Sequence, residues 1–426
     1  MVVTYAQTHW DSALVLYRQR EAWPLRPLGD AAPLLRLEQH LRLHLHVLAR
    51  CPETVEREPR ETPDCFVRLT SLLSSPQQEI RQDASRQAGE LLIAGGPIGL
   101  GAYQALALFC PPADDRALLE LYRSQPPLRP LLFGLWREQG FQVPAALYHQ
   151  GELQDRDPDL QQAALAYAAD NPQVGPELFR AYYQPQLGTP RPVKTSPEAL
   201  LAALWGGLVR GVRDLAPALL RAIELATDPS QQLGLLRLAA LAGDEQFYPV
   251  LRSHLETDPQ NGSRLLALYG RPQALEDLLS ALDRASAMEA AASAWQWLTG
   301  QRLGRKPRLS LVGSDEDDAT GETMPDSAAA KAWLQQHRGS FADGSRLFQG
   351  QPMTPALLLQ AADTLAGDGD ADLLDLLAIH LGRPLGIRPG AWHAQRSETL
   401  VRLQMNTNAQ VAAKATNPPG KAPRHG

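Results

Sequence analysis

Cysteine is nearly missing from this chain. Only Cys51, Cys65 and Cys110 occur, an odd number at wide spacing. Such a set builds neither a disulfide framework nor a zinc pair, and it suits a reducing compartment. Aromatic residues are scarce at 6%. Alternating β-branched runs are scarcer still. The nearest, residues 307–312, is short and isolated, so negligible sheet is expected. No run of 18 apolar residues exists, which predicts no membrane span. Residues 1–10 have no basic stretch leading into an apolar one, so no secretory signal is expected and the predicted location is cytoplasmic. Positive charge does not dominate either. The 41 basic and 47 acidic residues leave a net charge of −6. A general nucleic-acid binder needs a basic surface to displace counterions, so none is expected here, although one basic stripe stays compatible.

What is abundant is leucine and alanine, which lose little on entering a helix. The 426 residues suffice for a large core or for two or three units. The most informative pattern is a proline-led signature that recurs in the middle of the chain. It reads Pro176-Glu177-Leu178-Phe179-Arg180-Ala181, then Pro217-Ala218-Leu219-Leu220-Arg221-Ala222, then the shorter Pro249-Val250-Leu251-Arg252-Ser253. Each copy starts a short helical pattern and follows another one. Leu160, Ala163, Ala164, Tyr167 and Ala168 form one stripe ahead of Leu178, Phe179, Tyr182 and Tyr183. Leu235, Leu236, Ala239 and Ala240 hold matching places ahead of Val250, Leu251, His254 and Leu255. Recurring helix pairs with variable loops predict an all-α fold, an α-solenoid of HEAT-like antiparallel pairs.

The rest of the chain fits around that array. Residues 1–62 read as an N-terminal helical cap, with a first clear helix at 33–50 carrying Leu34, Leu37, Leu41, Leu45 and Leu48 on one face. The array is expected over 63–300, beginning with a pair at 64–74 and 76–94. Ser75-Pro76 is its expected cap, and Gly95-Gly96 its expected stop. Basic residues and then Asp315-Glu316-Asp317-Asp318 mark 301–326 as a linker or flexible loop. A smaller C-terminal helical section follows over 327–404. Residues 405–426, polar and rich in Pro, Gly and Ala, are expected to be disordered.

Several motifs invite a chemical reading and fail it. Gly95-Gly96-Pro97-Ile98-Gly99-Leu100-Gly101 resembles a phosphate loop, but no strand precedes it and no Gly-Lys-Ser/Thr follows. A helix–turn–helix junction is the better reading. Asp368-Gly369-Asp370-Ala371-Asp372 lacks the glycine and final acid of a calcium loop, since Leu373 and Ile379 hold those places. A solvated loop and helix cap are expected instead. His40 and His44 are one turn apart and His46 is close, yet no HExxH and no third ligand accompanies them. Trp295 and Trp297 face different sides of one helix, with core packing the default. No Ser/His/Asp set can be assembled. Arg180, Arg221 and Arg252 recur at equivalent places; they could form a basic ladder, though pairing with neighbouring carboxylates is the more ordinary role. No catalysis, cofactor or metal is expected.

Some segments resemble an uncharacterised HEAT-like family encoded with bacterial type VI secretion clusters. They are Leu37-Glu38, Leu41, His44-Leu45 and Leu48 near the N-terminus, and Ala294-Trp295-Gln296-Trp297-Leu298-Thr299-Gly300. The best match runs from Arg346-Leu347-Phe348-Gln349-Gly350-Gln351-Pro352-Met353-Thr354-Pro355-Ala356 through Ala391-Trp392-His393-Ala394-Gln395-Arg396. The resemblance implies a cytoplasmic scaffold binding a protein partner as a secretion accessory or adaptor. An immunity protein neutralising a toxin is the alternative, and a HEAT-like nucleic-acid enzyme a third. Expected partner contacts are Arg180, Arg221 and Arg252, the Gly350-Gln351-Pro352 segment that the resemblance makes distinctive, and the concave helices of the array.

Overall fold

The computed structural model describes residues 2–54, 58–109, 115–145, 147, 157–184, 195–212, 214–307, 323–339, 341 and 344–416. Cys110 and Asp315–Asp318 lie outside them. Helix dominates, at 72% of the structure, as the leucine and alanine content predicts. Short two-stranded ladders are the other regular structure.

The chain opens with α1 (Val2–Glu21), which the sequence analysis passed over. Its buried Ala6, Trp10, Ala13 and Tyr17 recur at helical spacing. Then come α2 (Ala32–Leu48), α3 (Thr62–Leu73), α4 (Gln78–Ala94), α5 (Gly96–Phe109), α6 (Asp115–Ser124) and α7 (Arg129–Gln139). The central part holds α8 (Pro158–Asp170), α9 (Glu177–Tyr183), α10 (Pro197–Leu208), α11 (Leu215–Leu225), α12 (Pro229–Ala242), α13 (Tyr248–Thr257), α14 (Pro259–Tyr269), α15 (Ala274–Leu282) and α16 (Met288–Thr299). The glycine-rich motif is the α4–α5 junction, with Gly95 and Gly96 at φ of 69° and 62°. Ser75-Pro76 does not start α4, whose cap is Gln77.

The clearest repeat marks the first helix of each pair, and it is not the proline-led signature. It is an acid or serine followed by proline: Asp157-Pro158, Ser196-Pro197, Asp228-Pro229 and Asp258-Pro259. Each oxygen accepts from a first-turn backbone N–H, of Leu160, Ala199, Gln231 and Asn261 respectively. Each proline supplies a φ already suited to the first turn, where its missing N–H costs nothing. The sequence-predicted pairs do not include the first helices α10 and α14. In the second helices Leu219 and Leu251 are fully buried, but Leu178 is only half-buried and Phe179 takes the core place.

The first helices pack side by side in an unbroken row: α3 on α5, α5 on α7, α7 on α8, then α8, α10, α12, α14 and α16 in turn. The second helices α9, α11, α13 and α15 each lean on the first helix of the following pair. Small residues let backbones approach. A Cβ on Gly262 of α14 would lie 2.4 Å from the Cα of Leu255 in α13.

The C-terminal section folds back onto the rest. It comprises α17 (Ser327–His337), α18 (Pro355–Thr364), α19 (Asp370–Leu381) and α20 (His393–Thr416). Helix α17 packs on α15, α19 on α12, and α20 on α18 and α2. Strand β1 (Gly29–Asp30) pairs antiparallel with β6 (Leu365–Ala366). Between β1 and β6 lie β2 (Arg305–Pro307) paired with β3 (Thr323–Pro325), and β4 (Leu347–Phe348) paired with β5 (Gln351–Pro352). The ends of the expected linker are thus pinned by a ladder against α16. Helix α20 also runs through part of the expected disordered tail, to Thr416. Residues 409–416 contain Ala-rich sequence without Gly or Pro, which favours helix until Pro418 removes a donor. Residues 417–426 lie outside the description.

Candidate functional site

Charges set inside apolar helices decide how the C-terminal section sits. Arg237 interrupts a run of leucines in α12, and Asp372 does the same in α19. Asp372 is 2% exposed. Its Oδ1 accepts from Arg237 Nε at 2.7 Å, and its Oδ2 from Arg264 of α14 at 2.7 Å. Arg237 also donates to Asp375 at 2.6 Å. Burial raises the Asp375 carboxyl, and the nearby Arg237 only partly offsets it. Asp368 pairs with Arg264 at 3.2 Å, and Asp370 takes a bidentate pair from Arg396 at 2.6 and 2.8 Å. The acids of the rejected calcium motif are therefore arginine partners, not a solvated loop, and the α19 cap is Gly369. Farther along the row, Asp170 at the end of α8 pairs with both Arg137 and Arg388. Burial opposes its charge, but the two guanidiniums win and hold its carboxyl below the ordinary range.

A second seam joins the cap to the C-terminal section. Arg20 donates to Glu38 at 2.9 Å and to the carbonyl of Gly390, and lies over the Trp392 ring at 4.7 Å. The other Glu38 oxygen accepts from the His393 backbone N–H at 2.7 Å.

The Gly-Gln-Pro segment serves the ends of the row. Gln349 and Gly350, at φ of 50° and 75°, turn the chain between β4 and β5. Their N–H groups donate to the carbonyls of Trp297 and Leu298, near the end of α16. A Cβ on Gly350 would meet the Thr299 carbonyl at 2.8 Å, so glycine is required there. Just before the hairpin, Arg346 donates to the carbonyls of Ala240 and Leu241 and to those of Leu268 and Tyr269. One guanidinium so closes the C-terminal ends of α12 and α14. Arg210 does the same between α8 and α10, through the carbonyls of Ala168, Ala169 and Gly206. Burial pulls both arginines down to about 10.

His380 of α19 faces this region. Burial, helped by Arg346, lowers it from 6.5 to about 4. The folded chain therefore keeps it neutral where the unfolded chain already binds a proton. Its stability contribution is full above pH 6.5 and drains away as pH falls towards 4. Urea titrations at pH 7, 6 and 5 are expected to show that His380→Gln flattens this loss, by up to about 1.4 kcal/mol per pH unit.

A cleft of about 610 Å³ runs along the faces of α14 and α16. Gln260, Asn261 and Arg264 line one wall, Glu289, Ser293 and Gln296 the other. Leu25, Pro27, Leu28, the Asp368–Gly369 turn and Phe348–Gln349 border it. Trp297 lies at one end, its ring centroid 5.0 Å from that of Phe348, while Trp295 is buried against Trp333.

The expected contact residues fall elsewhere. Arg180 pairs with Glu177 at 2.9 Å and Asp214 at 3.5 Å, and Arg252 with Asp277 at 3.3 Å; Arg221 is exposed. They sit on the second helices α9, α11 and α13, and none lines the cleft. Gln351 borders a separate depression of about 480 Å³ beside α18 and α20. His44 hydrogen-bonds through Nδ1 to the Nδ1 of His9 at 2.8 Å, a partner that sequence spacing did not show. Among the described residues, no group of three or more His, Cys, Asp or Glu could hold a metal ion, and no helix is long and apolar enough to cross a membrane. No protein-family model, curated protein or solved structure matches the chain.

Proposed function

We propose that this chain is a non-catalytic scaffold, an α-solenoid of HEAT-like helix pairs that binds a protein partner. The unbroken row of first helices from α3 to α16 is the observation that carries the reading. Stacked pairs bury a continuous core and present an extended edge, which suits recognition by shape. The buried charges near the row support it too, because they are spent on internal pairs: Asp372 on two arginines, Asp170 on two more. The partner surface proposed is the cleft along α14 and α16, bordered by Phe348, Gln349, Asp368 and Gly369 of the C-terminal section. A role as a type VI secretion accessory rests on the resemblance of the Arg346–Ala356 and Ala391–Arg396 segments.

Affinity capture from cells expressing the whole secretion cluster, followed by mass spectrometry, tests the reading. A spike or effector component at stoichiometric yield is the expected result. A toxin recovered with its activity abolished moves the role to immunity. Nuclease or glycosylase activity in the purified chain, with no partner captured, overturns the scaffold.

A further inference from the structure

Many exposed arginines of this chain are paired with acids. Arg86 binds Asp83 and Glu90, Arg305 binds Glu289, and Arg402 binds Glu398. Helix α2 departs from that pattern. Arg36, Arg42 and Arg50, the last just past its end, are exposed and have no acidic partner among the described residues. The one acid of the helix, Glu38, is turned inward onto Arg20 and the His393 N–H. In a chain with 47 acidic and 41 basic residues, this outward face is basic against the average. It also has a spacing. Arg36, His40, Leu43, Val47 and Arg50 follow one another at steps of four, three, four and three. That is the seam repeat of paired helices, which keeps residues on one stripe. The stripe lies on the far side from the buried Leu41, Leu45 and Leu48. At its middle Leu43 is 63% exposed, and Val47 is half-buried.

We infer that the outer face of α2 docks an acidic amphipathic helix of a protein partner, with an apolar residue on Leu43 and carboxylates at Arg36 and Arg50. The inference rests on the scaffold reading for the source of that helix, and it adds a second surface, since none of these residues lines the cleft. Each arginine stands seven residues from Leu43, about 10 Å at ~1.5 Å per residue. The Arg50 N–H donates to the Val47 carbonyl at 3.1 Å, which holds the turn at the end of the seam. A partner helix with the same heptad step therefore meets all three groups, in either direction. Burial of Leu43 supplies the apolar contact, and the guanidiniums, which fork onto carboxylates, fix register and partner choice. A nucleic acid fits worse. Its phosphates would pair with the arginines, but they would set charge against Leu43.

The test pans a displayed library of helical peptides of about three heptads against the full chain, with seam and flanking positions varied. Enriched sequences are synthesised with a fluorescent label, and their Kd is measured by anisotropy at low and high salt. Expected are binders with an apolar residue at the centre of the seam and Glu or Asp one heptad to either side. Their affinity should fall as salt rises. The double variant Arg36→Glu with Arg50→Glu, and Leu43→Glu by itself, should each raise Kd by at least about tenfold, because like charges or a bare carboxylate then face the acids. All three side chains are exposed, so the thermal melt should not change. A peptide whose acids are replaced by lysine should bind the double variant, a rescue that a merely structural loss does not permit. No acidic enrichment, wild-type binding by either variant, or a lysine peptide that fails to rescue overturns the inference. So does duplex DNA, or vesicles containing phosphatidylserine, that bind through Arg36 and Arg50 when the peptides do not. If the double variant captures the secretion-cluster partner with wild-type affinity, the α2 surface falls while the scaffold stands. If acidic peptides bind α2 but no partner is captured in cells, the scaffold reading falls instead.

Discussion

Asp372→Ala is expected to cost about 3 kcal/mol of stability, because it removes the buried anion that Arg237 and Arg264 share and leaves each with one carboxylate, Asp375 and Asp368. The carboxylate is buried and uses both oxygens, one on Arg237 and one on Arg264. It therefore ties α19 to two neighbouring first helices. The loss should not be uniform. Amides at the β1–β6 ladder, where Asp30 pairs with Leu365, and along α19 should exchange with solvent far faster, while those of α3 and α5 should stay protected. Urea denaturation with hydrogen exchange measures both. Replacing Arg237, Asp372 and Asp375 together by Met, Leu and Leu should come closer to wild type than Asp372→Ala alone, since Arg264 keeps Asp368. An apolar set avoids the desolvation cost that the ions bear. A single variant with unchanged exchange at the ladder would show that the C-terminal section is held by something else.

Arg346→Ala is expected to cost about 3 kcal/mol, since it orphans carbonyls at two helix ends at once. Four backbone oxygens from α12 and α14 depend on that one planar fork. Lysine keeps the cation but concentrates its donors at one point, so Arg346→Lys should recover only part of the loss. Arg252→Ala is the control: Arg252 is exposed and Asp277 keeps its hydrogen bond from Tyr248, so its removal should cost less than about 1 kcal/mol. Chemical denaturation of the three variants side by side gives the order. If Arg346→Ala melts like Arg252→Ala, water satisfies those carbonyls and the staple is not structural.

Local signals made the helices legible. The Leu and Ala stripes of α2, α8 and α12, the glycines after α4 and the prolines near helix starts were all readable, because each acts within one or two turns. Helix α1 and the first helices α10 and α14 carried the same kind of signal. Ser196-Pro197 and Asp258-Pro259 are the local signals that locate α10 and α14. Burial at one position was harder. Both Leu178 and Phe179 read as inward, but Phe179 is fully buried and Leu178 only partly, because a helix turns about 100° per residue and the neighbouring helix decides which side is inward.

The sequence by itself determined that the protein is helical, paired and punctuated, since propensity and periodicity are properties of short stretches. It did not mark Arg237 or Asp372 as buried, since Asp372 reads from sequence as part of a solvated helix cap. Which partners they find, only the tertiary structure decided. Asp372 and Arg237 are far apart along the chain, and no local rule links them. The same holds for Arg346 with Ala240 and for Glu38 with His393. These contacts form only after the C-terminal section folds back across the row. That folding back, and not the repeat itself, brings Phe348, Gln349, Asp368 and Gly369 to the cleft at α14 and α16.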